Sequence, residues 1–276
     1  RGGAGTSGAS SKVRVGATAC AGSVWRSDSG VVCRSASGGL TDRPVAVSSG
    51  QQCGSVSRVL SYNAAGVSSV GPSNAASSGG TSLTVVGRGG LGVSGLSVTA
   101  RVGGSGCGAS GWMSESSVVC RTVSGMQVGI PVLVSSGLQR GSLSAAVSYD
   151  APSVSSAGAS NAASSGAVSV TVAGQGGMGV SGSSAGARLG SSACEGSGWV
   201  SDSGVVCKAP GGVLGGAVGV VSAGVLRGSV SGLLSYDGPS VSSAGVSNVA
   251  SSGGMSLTVV GRGGAGTSGA SSKVRV

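Results

Sequence analysis

The chain has 276 residues, of which 58 are glycine, and it carries a formal charge of +10 at pH 7. This charge reflects a shortage of acidic residues rather than basic clusters, and only three Trp and three Tyr are available to stack on bases, so a nucleic-acid partner is not expected. No apolar run is long enough to predict a membrane span in this fragment. Because 39% of the residues are hydrophobic, the abundant Gly and Ser do not indicate a disordered linker.

The apolar residues alternate with polar ones in short runs. Residues 82–86 read SLTVV, and residues 168–172 read VSVTV. A period of two is typical of half-buried strands, and no segment of similar length shows the apolar stripe of a helix. The sequence therefore predicts an all-β fold.

An internal repeat of 87 residues is the strongest feature of the sequence. The same step relates the residues of five sets: Cys20, Cys107 and Cys194; Cys33, Cys120 and Cys207; Trp25, Trp112 and Trp199; Tyr62, Tyr149 and Tyr236; Asn74, Asn161 and Asn248. Residues 262–276 repeat residues 1–15 without a change, at an offset of 261, which is three times 87. We interpret this as one period of a longer array whose unit is a triplet of non-identical domains; the alternative is a recent duplication at one edge of a shorter protein.

The repeating tyrosine defines the domain boundaries. Tyr149-Asp-Ala-Pro and Tyr236-Asp-Gly-Pro combine turn residues with a proline suited to the start of an edge strand. In chain order this predicts a partial repeat at 1–62, complete repeats at 63–149 and 150–236, and a partial repeat at 237–276. Almost no linker remains between repeats, which favours a fixed angle between domains.

Repeat 150–236 is predicted to contain seven strands separated by glycine-rich turns. They are expected at about 153–156, 167–173, 184–190, 197–200, 203–208, 217–222 and 225–236. Seven short strands in 87 residues are typical of an immunoglobulin-like β-sandwich.

The residues that recur also resemble a known family. The segment from Asn161-Ala-Ala-Ser-Ser-Gly through the Val-Ser-Val-Thr-Val strand and a glycine-rich loop to Ala187-Arg-Leu-Gly190, Cys194, Trp199 and Ser203-Gly-Val-Val-Cys207 is similar to TIG (IPT) immunoglobulin-like domains. It looks closest to the tandem copies in surface proteins of unicellular algae and other protists. In one respect the chain departs from the family, which commonly has a large apolar residue where Gly90, Gly177 and Gly264 stand here.

Two cysteines recur in each of the first three repeats. Without histidine they cannot complete a tetrahedral zinc site, and redox pairs lie two residues apart rather than 13. Disulfides are therefore expected within each repeat, which would place the protein in an oxidising compartment. The pairs are Cys20–Cys33, Cys107–Cys120 and Cys194–Cys207.

Cys53 has no partner in its own repeat, and Arg140 and Arg227 occupy the equivalent positions. Because arginine is rarely buried, Cys53 is expected at an exposed position. A cross-link to another chain or domain is one interpretation, and an inert free cysteine is the alternative.

No catalytic, metal or cofactor site is expected. Gly177–Gly182 matches a dinucleotide fingerprint, but no helix follows it. Asp28, Glu115 and Asp202 are single acids for which a turn role is favoured over calcium binding. The tryptophans are expected to pack on the disulfides, with sugar stacking as the alternative.

These features predict a non-enzymatic structural protein of an extracellular fibre or hair-like filament, with copies of itself as partners. No Asn-X-Ser/Thr sequon is present, so any glycan is expected on Ser or Thr. Candidate acceptors are the serine pairs at 68–69, 77–78, 155–156, 164–165, 242–243 and 251–252. The alternatives are the stalk of an adhesin or receptor and, third, a carbohydrate-binding module.

Overall fold

The computed structural model describes residues 11–39, 41–93, 97–183, 185–213, 215–264 and 273–275. Within these ranges the regular structure consists of β-strands, and no helix is present. Accordingly, none of the described segments is a helix with the length and hydropathy needed to cross a bilayer.

The strand series recurs from repeat to repeat. The first partial repeat contains β1 (Ser11–Val15), β2 (Thr18–Ala19), β3 (Gly22–Ser27), β4 (Gly30–Arg34), β5 (Arg43–Ser49) and β6 (Gln52–Leu60). Repeat 63–149 contains β7 (Val67–Gly71), β8 (Asn74–Ala75), β9 (Ser82–Gly87), β10 (Val98–Val102), β11 (Ser105–Gly106), β12 (Ala109–Ser114), β13 (Ser117–Arg121), β14 (Ile130–Ser136) and β15 (Gln139–Tyr149). Repeat 150–236 contains β16 (Val154–Ala157), β17 (Asn161–Ala162), β18 (Ser169–Gly174), β19 (Ala185–Leu189), β20 (Ser192–Ala193), β21 (Gly196–Ser201), β22 (Gly204–Lys208), β23 (Ala217–Ala223) and β24 (Leu226–Tyr236). The last partial repeat contains β25 (Ser240–Ala244) and β26 (Val259–Arg262).

Each complete repeat is a sandwich of two sheets. In repeat 150–236 the strand orders are β17-β24-β23-β19-β20 and β16-β18-β22-β21, and repeat 63–149 has the equivalent orders β8-β15-β14-β10-β11 and β7-β9-β13-β12. The predicted all-β, immunoglobulin-like fold is confirmed, and each of the seven predicted strands matches an observed one. The prediction missed β17 and β20, because two residues are too few to show a period.

The core of repeat 150–236 lies between its two sheets. Along β19 and β18 buried residues alternate with exposed ones, as the pleat requires. The core is built mainly from valine, alanine and leucine, and Met178 and Leu234 are completely buried in it. Such small side chains limit the apolar area that each 87-residue repeat can bury.

The chain divides into two compact units. The first comprises Arg1–Ser73, Gly80–Val123 and Gly129–Val147, and the second comprises Asn74–Gly79, Ser124–Val128 and Ser148–Val276. In the first unit, the partial repeat forms a four-stranded sheet, β2-β1-β5-β6, and the two-stranded sheet β3-β4. In the second, the last partial repeat forms the two-stranded sheet β25-β26.

Candidate functional site

Each repeat that contains both cysteines has a disulfide. The bonds join Cys20 to Cys33, Cys107 to Cys120 and Cys194 to Cys207. In the last of these, Cys207 lies on β22, whereas Cys194 follows β20, so the bond links the two sheets of the sandwich. Cys207 is completely buried, which places the bond against the core.

Trp199 lies on the strand next to Cys207. Trp199 lies opposite Val205 on β22, and Cys207 is two residues further along that strand. The side chains of Trp199, Val205 and Cys207 therefore point to the same face, which is the interior. The indole packs against the core cluster that includes Cys207, and its Nε1 atom is buried without a hydrogen-bond partner among the described residues. The equivalent Trp112 is more open, at 37% exposure.

The recurring tyrosine closes the end of each sandwich. The Tyr236 hydroxyl donates a hydrogen bond of 2.8 Å to the carbonyl of Pro210, and Tyr62 donates one of the same length to Ala36. Burial raises the pKa of both Tyr149 and Tyr236 above the usual value of a tyrosine.

The raised tyrosine pKa values predict a loss of stability in alkali. Because the folded state favours the protonated phenol, this stability is fully present below pH ~10 and is lost as the pH rises through the raised pKa. Urea unfolding between pH 8 and pH 11 should therefore show a falling midpoint for the parent chain and a flatter profile for Tyr149→Phe/Tyr236→Phe. Parallel profiles for the two proteins would contradict this assignment.

The junction between repeats 63–149 and 150–236 is held by side chains from both. The Asn74 amide donates to the Asp150 carboxylate, and the Asp150 backbone N–H donates to the Ala75 carbonyl at 2.9 Å. The Ser77 hydroxyl donates to the Asp202 carboxylate, which also accepts the Gly177 N–H at 3.2 Å. These bonds tie the end of one repeat to the first turn and the glycine-rich loop of the next.

The following junction repeats the asparagine contacts of this arrangement. Asn161 donates to the Asp237 carboxylate, and the Asp237 N–H donates to the Ala162 carbonyl at 2.9 Å. Ser164, the equivalent of Ser77, accepts the Gly264 N–H at 2.8 Å. The junction is therefore a recurring structure rather than an accident of one pair of domains.

A glycine is required where the glycine-rich loop packs against the first turn of its own repeat. Gly177 has φ +73°, and a Cβ atom there would lie 2.2 Å from the Ala151 carbonyl oxygen. A Cβ atom at Gly90 would lie 2.5 Å from the Ala64 carbonyl oxygen, and one at Gly264 would lie 2.2 Å from the Gly238 carbonyl carbon. This explains the departure from the family pattern, and the adjacent Leu91 and Met178 supply the large apolar side chains that fill the two cores.

Several junction residues were not identified from the sequence. The sequence pattern assigns no role to Asn74 and Asn161, which donate to Asp150 and Asp237. It favours a turn role for Asp202, which also accepts a hydrogen bond from Ser77 across the junction. The feature of the sequence that pointed to these residues is that the asparagine (Asn74), the serine (Ser77) and the acidic residue (Asp202) all recur with the same 87-residue step. Spacing alone could not show that they meet across a domain boundary.

The prediction of glycan acceptors needs a correction at this junction. Ser77 is completely buried and Ser164 is 6% exposed, because both form the contacts described above. A transferase could not reach either hydroxyl in the folded chain. The neighbouring Ser78 and Ser165 are exposed, so the correction concerns one serine in each pair.

Ser77→Ala should destabilise the junction by about 1–3 kcal/mol, because it removes a buried donor from a charged acceptor. Hydrogen exchange of the Gly177 and Asp150 amides is the readout, since both belong to the junction. Ser78→Ala is the matched control and should change nothing, as this side chain is exposed. Equal protection in the two variants would show that the Ser77 contact contributes no stability.

The first junction contains a cavity of about 210 Å³. Its walls include Gly38, Tyr62, Asn63 and Glu115. Gly125 and Gly212 are the equivalents of Gly38 in the two complete repeats. The Gly125 N–H donates a hydrogen bond to the carbonyl of the buried Ser77, and the Gly212 N–H donates one to the carbonyl of Ser164. The cavity thus lies where those repeats place their own serine segment.

Cys53 is exposed on β6, opposite Ser48. Arg140 and Arg227 occupy the same register position, opposite Ser135 and Ser222, and both are exposed. Its cross-link to another chain or domain stays a prediction.

With this geometry established, residues 66–150 match the family model described as IPT/TIG domain. This match covers 85 of the 276 residues. No curated protein matches the chain at a significant level. The equivalent sheets of the next repeat form a second immunoglobulin-like sandwich in tandem.

Solved structures resemble the chain in fold alone. They include the plexin A4 extracellular region (14% identity, 84% of this chain and 31% of that one, TM-score 0.32). A second is the I9–I11 tandem from titin (8% identity, 83% of this chain and 89% of that one, TM-score 0.27). A third is a surface glycan-binding protein from Prevotella bryantii (13% identity, 62% of this chain and 42% of that one, TM-score 0.38). The chain thus spans 31% of the plexin region that it matches.

Proposed function

We propose that this chain is a non-enzymatic structural part of an extracellular fibre or hair-like filament, built as a long array of disulfide-bonded TIG domains. The observation that carries the proposal is the repeat junction. Asn74 and Ser77 of one repeat bond to Asp150 and Asp202 of the next, so consecutive domains share hydrogen bonds instead of a linker. Domains joined in this way transmit tension and resist bending better than domains on flexible tethers.

The disulfides support an extracellular location. Bonds such as Cys107–Cys120 form and persist in oxidising compartments and are rare in the cytosol. A core of small side chains also needs such a bond for stability. A coat of O-linked glycans on exposed serine pairs such as 68–69 and 155–156 fits this location.

Cys53 is proposed to cross-link neighbouring chains of the fibre. Its thiol is exposed, and exposed thiols in an oxidising medium form disulfides. Non-reducing electrophoresis of chains oxidised at high concentration should show linked species that are lost in Cys53→Ser. Linked species that persist in this variant would assign the bond to another cysteine.

The alternative function is the stalk of a cell-surface adhesin or receptor, in which the array displays a separate binding domain. Stiff junctions would serve a stalk equally well, so the two functions differ in what lies at the end of the array. Antibodies raised against residues 150–236 distinguish them on native cells. Labelling along the length of regular filaments supports the fibre, whereas labelling of short projections that each end in a distinct head supports the stalk.

Electron microscopy of labelled filaments also tests the geometry. The long strands β6 and β24 have 9 and 11 residues. At about 3.3 Å per residue such strands give a sandwich roughly 30–40 Å long, so three domains end to end should repeat axially at about 90–120 Å. An axial period outside this range, or beads on flexible tethers, would contradict a stiff array.

A further inference from the structure

The outer face of the five-stranded sheet carries two arginines in each complete repeat. In the first of these repeats they are Arg101 on β10 and Arg140 on β15, and both side chains are exposed. Thr99 lies opposite Ser135, which in turn lies opposite Arg140. Arg101 is two residues beyond Thr99 on the same strand. Because opposite residues and residues two apart share a face, both arginines project from the same side of the sheet, away from the core.

Repeat 150–236 has the same pair in the same register. Arg227 lies opposite Ser222, and Arg188 lies opposite Val220, which is two residues from Ser222 on β23. Strands about 4.8 Å apart, with a rise of about 3.3 Å per residue, place the Cα atoms of the two arginines about 10 Å apart across the sheet and about 7 Å apart along it. Two cationic groups at this spacing fit successive acidic groups of an extended polymer better than one small anion.

The first repeat keeps two basic side chains on this face, although Cys53 stands in place of the second arginine. Arg14 on β1 is the equivalent of Arg101, and Lys12 lies opposite Ser48 in the row that ends at Cys53. Both Lys12 and Arg14 are exposed, and the equivalents of Lys12 in the complete repeats are uncharged. Where β6 lacks the charge, β1 supplies it, so the double positive charge is a property of the face rather than of one position.

No acidic side chain of the described strands neutralises this face. These strands contain neither aspartate nor glutamate, and the acidic residues lie in turns and in the connections between strands. In the two complete repeats, the guanidinium groups on the face form no ion pair or hydrogen bond with another described residue. Each of these sheets therefore presents two uncompensated positive charges to the solvent.

The residues between the arginines fit a sugar polymer better than a nucleic acid. One row across the sheet consists of Arg101, Leu133 and Ser142. The half-buried Leu133 offers an apolar contact to the face of a sugar ring, and the exposed serine hydroxyl can donate to or accept from sugar hydroxyls. The equivalent row of the next repeat has a valine and a serine at these places. The aromatic side chains on these sheets, Tyr149 and Tyr236, are buried and cannot stack on bases.

We propose that this sheet face binds an acidic polysaccharide that carries uronate carboxylates. Apart from Lys12, the basic residues of the face are arginines, and a planar guanidinium matches a carboxylate with two parallel hydrogen bonds. Because the face recurs in successive repeats, one polymer chain can bind several of them, which raises the overall affinity. The inference goes beyond the proposed fibre and does not rest on it, since a stalk with the same sheets would bind the same polymer.

Binding of the intact chain to immobilised polygalacturonate at about 0.15 M salt tests the proposal. Methyl-esterified polygalacturonate is the matched probe, because it has the same sugar backbone without the charge. The chain should bind the acidic form at least about tenfold more tightly than the ester. Replacing the four arginines of the complete repeats with glutamine should weaken binding to the acidic form by about tenfold or more, because several exposed charge contacts are lost together. The positions are Arg101, Arg140, Arg188 and Arg227.

The control variant loses the same charge elsewhere. It replaces four exposed arginines that lie outside this face with glutamine, at Arg26, Arg34, Arg88 and Arg121. Charges on the opposite sheet lie beyond the screening length of about 8 Å, so this variant should bind within about twofold of the parent. Thermal unfolding of both variants should match that of the parent, because all the replaced side chains are exposed.

Replacing the same four face arginines with lysine tests the geometry of recognition. This variant keeps the charge and should still bind polygalacturonate several-fold more weakly than the parent, because an ammonium group cannot form the paired hydrogen bonds. Full affinity in the lysine variant would overturn carboxylate recognition by arginine.

Equal binding to polygalacturonate and its methyl ester overturns the proposal, as does equal loss of affinity in the face variant and the control variant. Tighter, face-dependent binding to single-stranded DNA or to dextran sulfate would also overturn it, by assigning the face to a nucleic acid or a sulfated polymer. These results are independent of the antibody experiment on native cells. Labelled filaments without polygalacturonate binding remove only this inference, whereas binding without labelled filaments removes only the fibre.

Discussion

Replacing Cys194 and Cys207 together with alanine is expected to lower the free energy of unfolding of repeat 150–236 by about 3 kcal/mol or more. The bond closes a short loop, since the two cysteines are 13 residues apart, and so restricts the unfolded chain. For a loop of this length the chain-entropy estimate is roughly 3 kcal/mol. Truncating the completely buried Cys207 also leaves a void in a core that is already built from small side chains.

Hydrogen exchange in mild denaturant measures this loss, because it reports the opening of one repeat at a time. Peptides from β18, β19 and β22 should lose protection, while the β14 peptide of the neighbouring repeat should change much less. Cys53→Ser is the matched control and should leave every peptide unchanged, since that thiol is exposed. Equal protection of β22 with and without the disulfide would show that the bond is not needed for the fold.

Gly177→Ala is expected to open the junction that precedes it. The substitution forces a side chain into a left-handed conformation, which costs about 1–2 kcal/mol, and places its Cβ atom 2.2 Å from the Ala151 carbonyl oxygen. Because the obstacle is backbone, either the loop or the first turn of the repeat must move. The hydrogen bond from the Asp150 N–H to Ala75 depends on that turn.

Gly182→Ala separates the two effects. Gly182 has a similar φ of +81°, but a Cβ atom there meets nothing within 4 Å. It should therefore show only the conformational cost, and Gly177→Ala should be more destabilising by at least about 1–2 kcal/mol. Unfolding in urea gives the difference, and exchange at the Asp150 amide localises it. Similar losses for the two variants would mean that the loop can move away from Ala151 at little cost.

The sequence by itself determined the all-β fold and the number of longer strands per sandwich. The alternation in segments such as β18 reflects a local rule, because side chains along a strand point to opposite faces. The repeating cysteines predicted their own bonding state in the same way, since two cysteines without histidine cannot complete a zinc site and so favour a disulfide. Such properties depend on residue type and spacing, and both can be read along the chain.

The tertiary structure decided which residues join one repeat to the next. Ser77 and Asp202 are 125 residues apart, and nothing in their local sequence shows that a buried hydroxyl donates to that carboxylate. The need for glycine at 177 likewise follows from the carbonyl of Ala151 against the loop, which no local turn pattern specifies. The cavity beside Tyr62 has the same origin, because its walls come from segments that are far apart in the chain. Contacts of this kind depend on the relative placement of distant segments, and a period along the chain predicts that they recur without showing where they meet.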